Sequence, residues 1–307
     1  MKSEVLSGSV AVVAGGAGTG AGLGRGLVLS LARQGASVAI LDRDIEAADR
    51  LAAELRADGP RAMACLADFS DHASLQSAAN QIRDLYGSCN MLCAHVGGGG
   101  QGHFDDISIA EWRRALEIMV VGTVATVRAF LPLLRSTPGR PRIVLTSSVA
   151  ALAPGLLQGP YPAAKAAVTS IGQTLNLELG PEGIGTTVAF PVGMLSPELV
   201  GPARSALVNQ SVQGDEGIQA AIAKEMMTDP SDLTSGEDAA VSVINALLNE
   251  SPYVVTHGIS ASARAVRRHQ LLEEALDLTA ERSVSKARPR TTAGWGGQIP
   301  ARRMVNS

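Results

Sequence analysis

Tyr161 and Lys165 occur in GPYPAAKAAV with three residues between them. On a helix that spacing places both side chains on one face, one turn apart. An ammonium beside a phenol stabilises the phenolate and lowers the tyrosine pKa from about 10 toward neutrality, making a usable general acid or base. Thirteen residues upstream, Ser148 ends the apolar run IVLTSS, where its hydroxyl is placed to hold a carbonyl oxygen beside Tyr161. A Tyr and a Lys four apart are by themselves more often a surface pair. The serine and a glycine-rich loop near the N-terminus give the set its chemical meaning.

That loop, AGGAGTGAGLGRG at residues 14–26, directly follows the first apolar run and leads into GLVLSLARQG. A turn needing positive φ, backbone left bare for a pyrophosphate, and a helix N-terminus with unpaired amides are the physical demands such glycines meet. Gly15, Gly16, Gly18, Gly20 and Gly22 are the candidate cofactor contacts. A G-x3-G-x-G spacing fits Gly16, Gly20 and Gly22 as well as Gly18, Gly22 and Gly24, and spacing does not choose between them. Asp42 ends the second apolar run, where a carboxylate accepts hydrogen bonds from ribose hydroxyls and repels a 2′-phosphate, which favours NAD. Arg43 follows at once and would suit the phosphate of NADP, so NADP stays open. Asp68 and Phe69, in CLADFSD, are placed near an adenine; otherwise Asp68 caps the helix beginning near Asp71.

The elements that must position these groups alternate. Apolar runs at 10–14, 37–41, 61–66, 90–95, 142–147, 185–190 and 253–257 read as strands, and amphipathic patterns at 22–34, 44–58, 71–86, 111–135, 161–179 and 236–249 read as helices. This alternation predicts an α/β fold, a doubly wound parallel Rossmann sheet of about seven strands with helices on both faces. Residues 1–281 read as one catalytic domain, with 193–235 as a substrate lid and 260–281 as a C-terminal helix. From 282 to 307 the chain has six basic and no acidic residues, read as a disordered tail or an arm on a neighbouring subunit.

Composition narrows the function classes. A net charge of -3 selects neither nucleic acid nor an anionic membrane as partner. Three cysteines, Cys65, Cys89 and Cys93, lack zinc spacing and fit a reducing, cytoplasmic setting without disulfides. The first strand begins too soon to leave room for a signal peptide, and no long uncharged stretch reads as a membrane span. In HVGGGGQGHFDD, His95, His103, Asp105 and Asp106 invite a metal reading, but four consecutive glycines hold no ligand geometry, so no metal is expected.

Together, the loop, Ser148 and Tyr-x3-Lys over residues 5–257 resemble the classical short-chain dehydrogenases/reductases. The resemblance implies a nicotinamide cofactor, Ser148, Tyr161 and Lys165 as catalytic residues, and Lys165 also bridging the nicotinamide ribose. PVGMLS resembles the family's loop beside the nicotinamide, with Val192 and Ser196 in its glycine and threonine slots. Ala94, His95, Val96 and Gly97 stand where the family has Asn-Asn-Ala-Gly, which places His95 and Gly97 against the cofactor. Met119 stands where the family has a relay asparagine; either another polar group replaces it, His95 being the nearest by sequence, or the chemistry is altered. Within the family the GPYPAAKAA block and C-terminal extension are similar to bacterial Cα-dehydrogenases acting on lignin-type aryl ethers.

The expectation is therefore an NAD(P)-dependent oxidoreductase interconverting a secondary alcohol and a ketone, with an apolar or aromatic small-molecule substrate. A non-redox lyase or isomerase on the same fold, or a nucleotide-binding sensor, are the alternatives. A homodimer or homotetramer through the helices at 111–135 and 161–179 is what the resemblance implies for assembly.

Overall fold

The computed structural model describes residues 5–18, 22–97, 102–155, 157–192, 234–257 and 265–273. Gly20, Ser196, nearly all of the expected lid and the whole basic tail lie outside the described residues. The chain divides into two compact units, Met1–Ala265 and Val266–Ser307. In the second, residues 266–273 are helical, with His269 and Glu273 paired one turn apart at 3.1 Å.

In the first unit seven parallel strands form one sheet. They are β1 (Val10–Ala14), β2 (Ser37–Asp42), β3 (Ala62–Leu66), β4 (Met91–Ala94), β5 (Arg142–Thr146), β6 (Gly185–Phe190) and β7 (Tyr253–Val255), in the order β3-β2-β1-β4-β5-β6-β7. Strands rich in Val, Ala, Ile and Leu bury both faces, which alternation along each strand divides between two cores. Val13, Ile40, Cys93, Val144 and Ala189 face α1 (Leu23–Arg33), α2 (Ile45–Ala57) and a later helix. Val12, Leu41, Leu92 and Leu145 face the opposite layer, where Phe130 is fully buried. The strand order reverses between β1 and β4, so a crevice opens there at the carboxyl ends of the strands.

Local chemistry sets the helix ends. Asp44 accepts the Ala47 amide at 2.9 Å to start α2, and Asp71 accepts that of Ala73 at 2.9 Å to start α3 (His72–Tyr86). The cap of α3 is therefore Asp71 and not Asp68. Ser108 and Glu111 form a reciprocal capping box on α4 (Ile109–Leu116). Where one helix was expected over 111–135, a π turn (Glu117–Val121) separates α4 from α5 (Gly122–Ser136). The widened turn carries Met119 into the interior, and Gly122 lies against the Phe69 carbonyl, where a Cβ would stand 2.8 Å from the oxygen. The run 109–136 is also long and apolar enough to cross a membrane by length and composition, contrary to the sequence reading. Its apolar side chains are partly spent on this core: Phe130 and Leu134 are fully buried against the sheet layer.

Three further α-helices lie among the described residues of the unit: the short α6 (Val149–Leu152), α7 (Pro160–Leu179) with proline in its first turn, and α8 (Gly236–Leu248). Gly26 is where α1 and α8 touch, since a Cβ there would fall 2.1 Å from the Gly236 carbonyl oxygen.

Candidate active site

The site is assembled from the carboxyl ends of β1, β2, β4, β5 and β6 and from the first turn of α7. Ser148 follows β5, caps α6 by accepting the Ala150 amide at 3.1 Å, and is hydrogen-bonded to the Tyr161 phenol. Lys165 is buried one turn along α7. Its Nζ donates to the backbone carbonyls of Val96 at 2.8 Å and Thr146 at 2.9 Å, just beyond the ends of β4 and at the end of β5. Ser147 anchors the same helix from the strand, its Oγ donating to the Lys165 carbonyl at 2.8 Å and lying 2.8 Å from Thr169 Oγ1. The three residues expected to do chemistry thus come together.

Their electrostatics differ from the sequence expectation. Burial raises the Tyr161 phenol above its ordinary value, and the opposing influence is the Ser148 hydrogen bond. The Lys165 ammonium stands 5.8 Å from the tyrosine ring centroid, and its own pKa is pushed down by burial to about 8. In the ligand-free protein the pair is therefore a protonated phenol beside a lysine titrating near neutrality, rather than a phenolate held by a firm cation.

The turn that leads into Tyr161 is held by a second segment. The Gly102 amide donates to the Leu157 carbonyl at 2.8 Å, and Leu157 takes a left-handed φ of 61°. Ile107 and Trp112 crowd Gly159, where a Cβ would come within 2.7 Å of Ile107 Cδ1 and 3.6 Å of Trp112 Cζ2. Phe104 meets Trp112 edge-on, with ring centroids 6.0 Å apart. Below them Met119, fully buried, packs with Ala115 and Ala164 beside Tyr161. The Met119 carbonyl accepts the Thr123 hydroxyl at 2.6 Å. Among the described residues no polar side chain is seen in the place of an asparagine there. His95 does not, because its ring lies on the α1 side of the sheet, against Gly15 and Gly24.

The described glycines of the loop have distinct roles, while Gly20, a member of one of the two G-x3-G-x-G registers, lies outside the described residues. Gly15 makes the turn, with φ of 75° and room for no Cβ, which would fall 2.1 Å from the His95 carbonyl oxygen. Gly24 packs as closely, a Cβ there meeting the Gly15 oxygen at 2.1 Å. Gly16 is a packing residue with Val28 and Ile40 at 3.0 and 3.1 Å. Gly22 faces open space and begins α1 without a side-chain cap, so the first amides of the helix are left for an anion. Gly18 is nearly as open, with the Gly15 oxygen 3.9 Å away.

Asp42 sits at the end of β2, its carboxylate accepting the amides of Ala17 and Asp44, each at 3.1 Å. It ties the loop to the sheet. Asp68 accepts from both the amide and hydroxyl of Ser70, at 2.9 and 2.6 Å, which lowers its pKa. Phe69 is half-buried and Gly97 exposed, both beyond strand ends bordering the crevice. Val192 is buried with Val149, Val188 and Phe190 beyond β6. Open glycine backbone, a free helix N-terminus and a carboxylate two strand ends apart fit a dinucleotide.

A family model described as short chain dehydrogenase matches residues 9–206. This chain belongs to the short chain dehydrogenase family. Among curated relatives of this short-chain dehydrogenase, an uncharacterized short-chain type dehydrogenase/reductase, y4mP, of Sinorhizobium fredii is 30% identical over 204 residues, 66% of this chain and 80% of that one. The 2,5-dichloro-2,5-cyclohexadiene-1,4-diol dehydrogenase LinX of Sphingobium indicum is 29% identical over 231 residues, 75% of this chain and 88% of its own. A solved short-chain dehydrogenase/reductase from Burkholderia phymatum, in complex with NAD, superposes with a TM-score of 0.75 at 25% identity, covering 88% of this chain and 96% of that one.

Sequence reasoning missed the carbonyls of Val96 and Thr146 that hold Lys165, and had no signal by which to find them. Backbone acceptors are independent of residue type; only the strand ends reveal them.

Proposed function

We propose that this short-chain dehydrogenase uses NAD, with NADP as the alternative dinucleotide, to interconvert a secondary alcohol and a ketone. The observation that carries the reading is the hydrogen-bonded Ser148–Tyr161 pair beside a buried Lys165, at the carboxyl ends of β4 and β5. Bound there, the nicotinamide ring supplies the hydride acceptor or donor.

Tyr161 exchanges the proton with the substrate oxygen, and Ser148 orients and polarises that oxygen from the other side. Lys165 has three N–H donors, of which two are committed to Val96 and Thr146. The third is left for a ribose hydroxyl. Because burial keeps the Tyr161 phenol protonated, ketone reduction starts from the ready acid, while alcohol oxidation first needs the phenol deprotonated. Asp42 would receive the adenosine ribose, where its carboxylate would repel a 2′-phosphate and so favour NAD. Phe104 and Trp112 beside Gly159 support an apolar or aromatic substrate. Exposed Ile109, Leu116 and Leu177 on α4 and α7 support assembly as a homodimer or homotetramer through those helices. The three cysteines, buried and unpaired, suit the cytoplasm.

The Met119 departure favours one second reading, a lyase or isomerase using the same tyrosine and lysine for proton transfer alone. Purified protein is mixed with NAD or NADP and a panel of secondary alcohols, and absorbance is followed at 340 nm. Stoichiometric reduced dinucleotide supports the oxidoreductase. Tyr161→Phe lowers its rate about a thousandfold while dinucleotide binding persists. Substrate turnover without any change at 340 nm overturns it in favour of the second reading.

A further inference from the structure

Three buried side-chain polar atoms have no hydrogen-bond partner among the described residues: His95 Nδ1, Thr146 Oγ1 and Thr186 Oγ1. Two of them are neighbours. Ala94 of β4 stands opposite Leu145 of β5, so His95 and Thr146 are the next step of the same parallel register. Side chains alternate between faces, and Cys93 and Val144, one position behind Ala94 and Leu145, both belong to the core layer against α1 and α8. His95 and Thr146 therefore point to that same side, one strand spacing apart. A buried hydroxyl and a buried imidazole nitrogen each left unpaired are costly, so two such atoms side by side have a strong reason to pair.

The orientation of the ring is already set by its other contacts. Its Cδ2 edge lies against Gly15 and Gly24, 3.6 and 3.0 Å from where their Cβ atoms would be, and Nδ1 is sealed. His95 as a whole is half-buried, and Nδ1 is its ring nitrogen sealed without a partner. Burial and the nearby Lys165 charge push its pKa down to about 4, which leaves a neutral ring with one donor and one acceptor nitrogen at any working pH.

We infer that the Thr146 hydroxyl donates to His95 Nδ1, directly after a side-chain rotation or through one buried water, and so fixes the proton on Nε2. Held in that tautomer, His95 offers an N–H to an oxygen of the dinucleotide backbone, phosphate or ribose, lying across the β1–β4 crevice. Thr146 is the positioning residue and His95 the binding residue. The same Thr146 turns its backbone carbonyl to Lys165, so one strand end orients the proton-handling lysine and the dinucleotide-binding histidine from its two faces. This assignment deepens the dinucleotide reading above and rests on it for the second half only.

The test has two separate readouts. In the ligand-free protein, 15N NMR of the imidazoles, with His95 identified by its loss in His95→Asn, is expected to show a single Nε2–H tautomer. Thr146→Val, which keeps the side-chain shape, is expected to shift that signal toward a mixture, and Thr146→Ser to restore it. Titration calorimetry with NAD is expected to give a Kd five- to tenfold weaker for both Thr146→Val and His95→Asn, with Thr146→Ser near wild type. An Nδ1–H tautomer in the wild type, or spectra and NAD affinity unchanged by Thr146→Val, overturns the pairing. A wild-type protein showing the Nε2–H tautomer but binding neither NAD nor NADP leaves the pairing standing and overturns the dinucleotide reading instead.

Discussion

Lys165 is a buried amine held by two backbone carbonyls and, among the described residues, by no carboxylate. Neutral acceptors stabilise the ammonium less than an anion does, and desolvation wins, taking its pKa to about 8 from an ordinary value near 10.5. A stability dependence follows. Below pH 8 the lysine is charged in both folded and unfolded chains, and the folded state bears the full burial penalty. Between about 8 and 10.5 the folded protein releases this proton first, the unfolded chain holds more protons, and stability rises with pH. The melting temperature of wild type relative to Lys165→Met is therefore expected to climb across that window; a flat difference would show a lysine of ordinary pKa. Tyr161, Lys165 and Ser148 were legible as a set because their types and spacing are local facts. The direction of the Tyr161 shift was not, since it depends on how completely the fold removes water from the phenol.

At the level of elements, the loop between β1 and α1 shows why spacing alone was ambiguous. Glycine serves at Gly15 for a left-handed turn, at Gly24 for backbone contact and at Gly22 for open approach, and one letter in the sequence stands for all three needs. The variants separate them. Gly24→Ala drives a Cβ into the Gly15 carbonyl and is expected to cost about 1–3 kcal/mol of stability or more. Gly22→Ala meets nothing and is expected to keep the wild-type denaturation midpoint while weakening dinucleotide affinity about tenfold, or about 1.4 kcal/mol. Paired denaturation and binding curves read both, and the idea fails if Gly22→Ala unfolds the protein as readily as Gly24→Ala. The π turn at Glu117–Val121 was illegible for a related reason: the apolar pattern over 111–135 is helical throughout, and only packing against Phe69 and Tyr161 asks for the extra residue in that turn.

Across the whole first unit, two aliphatic cores on either face of one sheet hold the strand ends in register, and with them every group of the site. Aromatic residues are only 3% of the chain, so Phe130, fully buried beneath the sheet, is among the largest single fillers of its layer. Phe130→Ala is expected to cost about 3–5 kcal/mol, which for a unit of this size is a fall on the order of 10 °C in Tm. Calorimetry checks it, and a fall of under about 2 °C would mean that the layer closes over the gap. Seven strands and α1, α2, α3, α7 and α8 were readable to within a few residues, and α4 and α5 as one run, because burial on both faces imposes unbroken apolar runs and amphipathic gaps. The short α6 was not, being a four-residue turn whose hydrogen bonds start from Ser148.

The sequence by itself determined the alternation of strands and helices, the family, and which phenol, amine and hydroxyl are available for chemistry, because these follow from residue type and periodicity along the chain. Only the tertiary structure decided which carbonyls hold Lys165, which glycines face the crevice, that Met119 is fully buried beside Tyr161, and that His95 stands beside Thr146. Each of these is a relation between residues distant in the chain, created when parallel strands align their ends, and no local pattern encodes it.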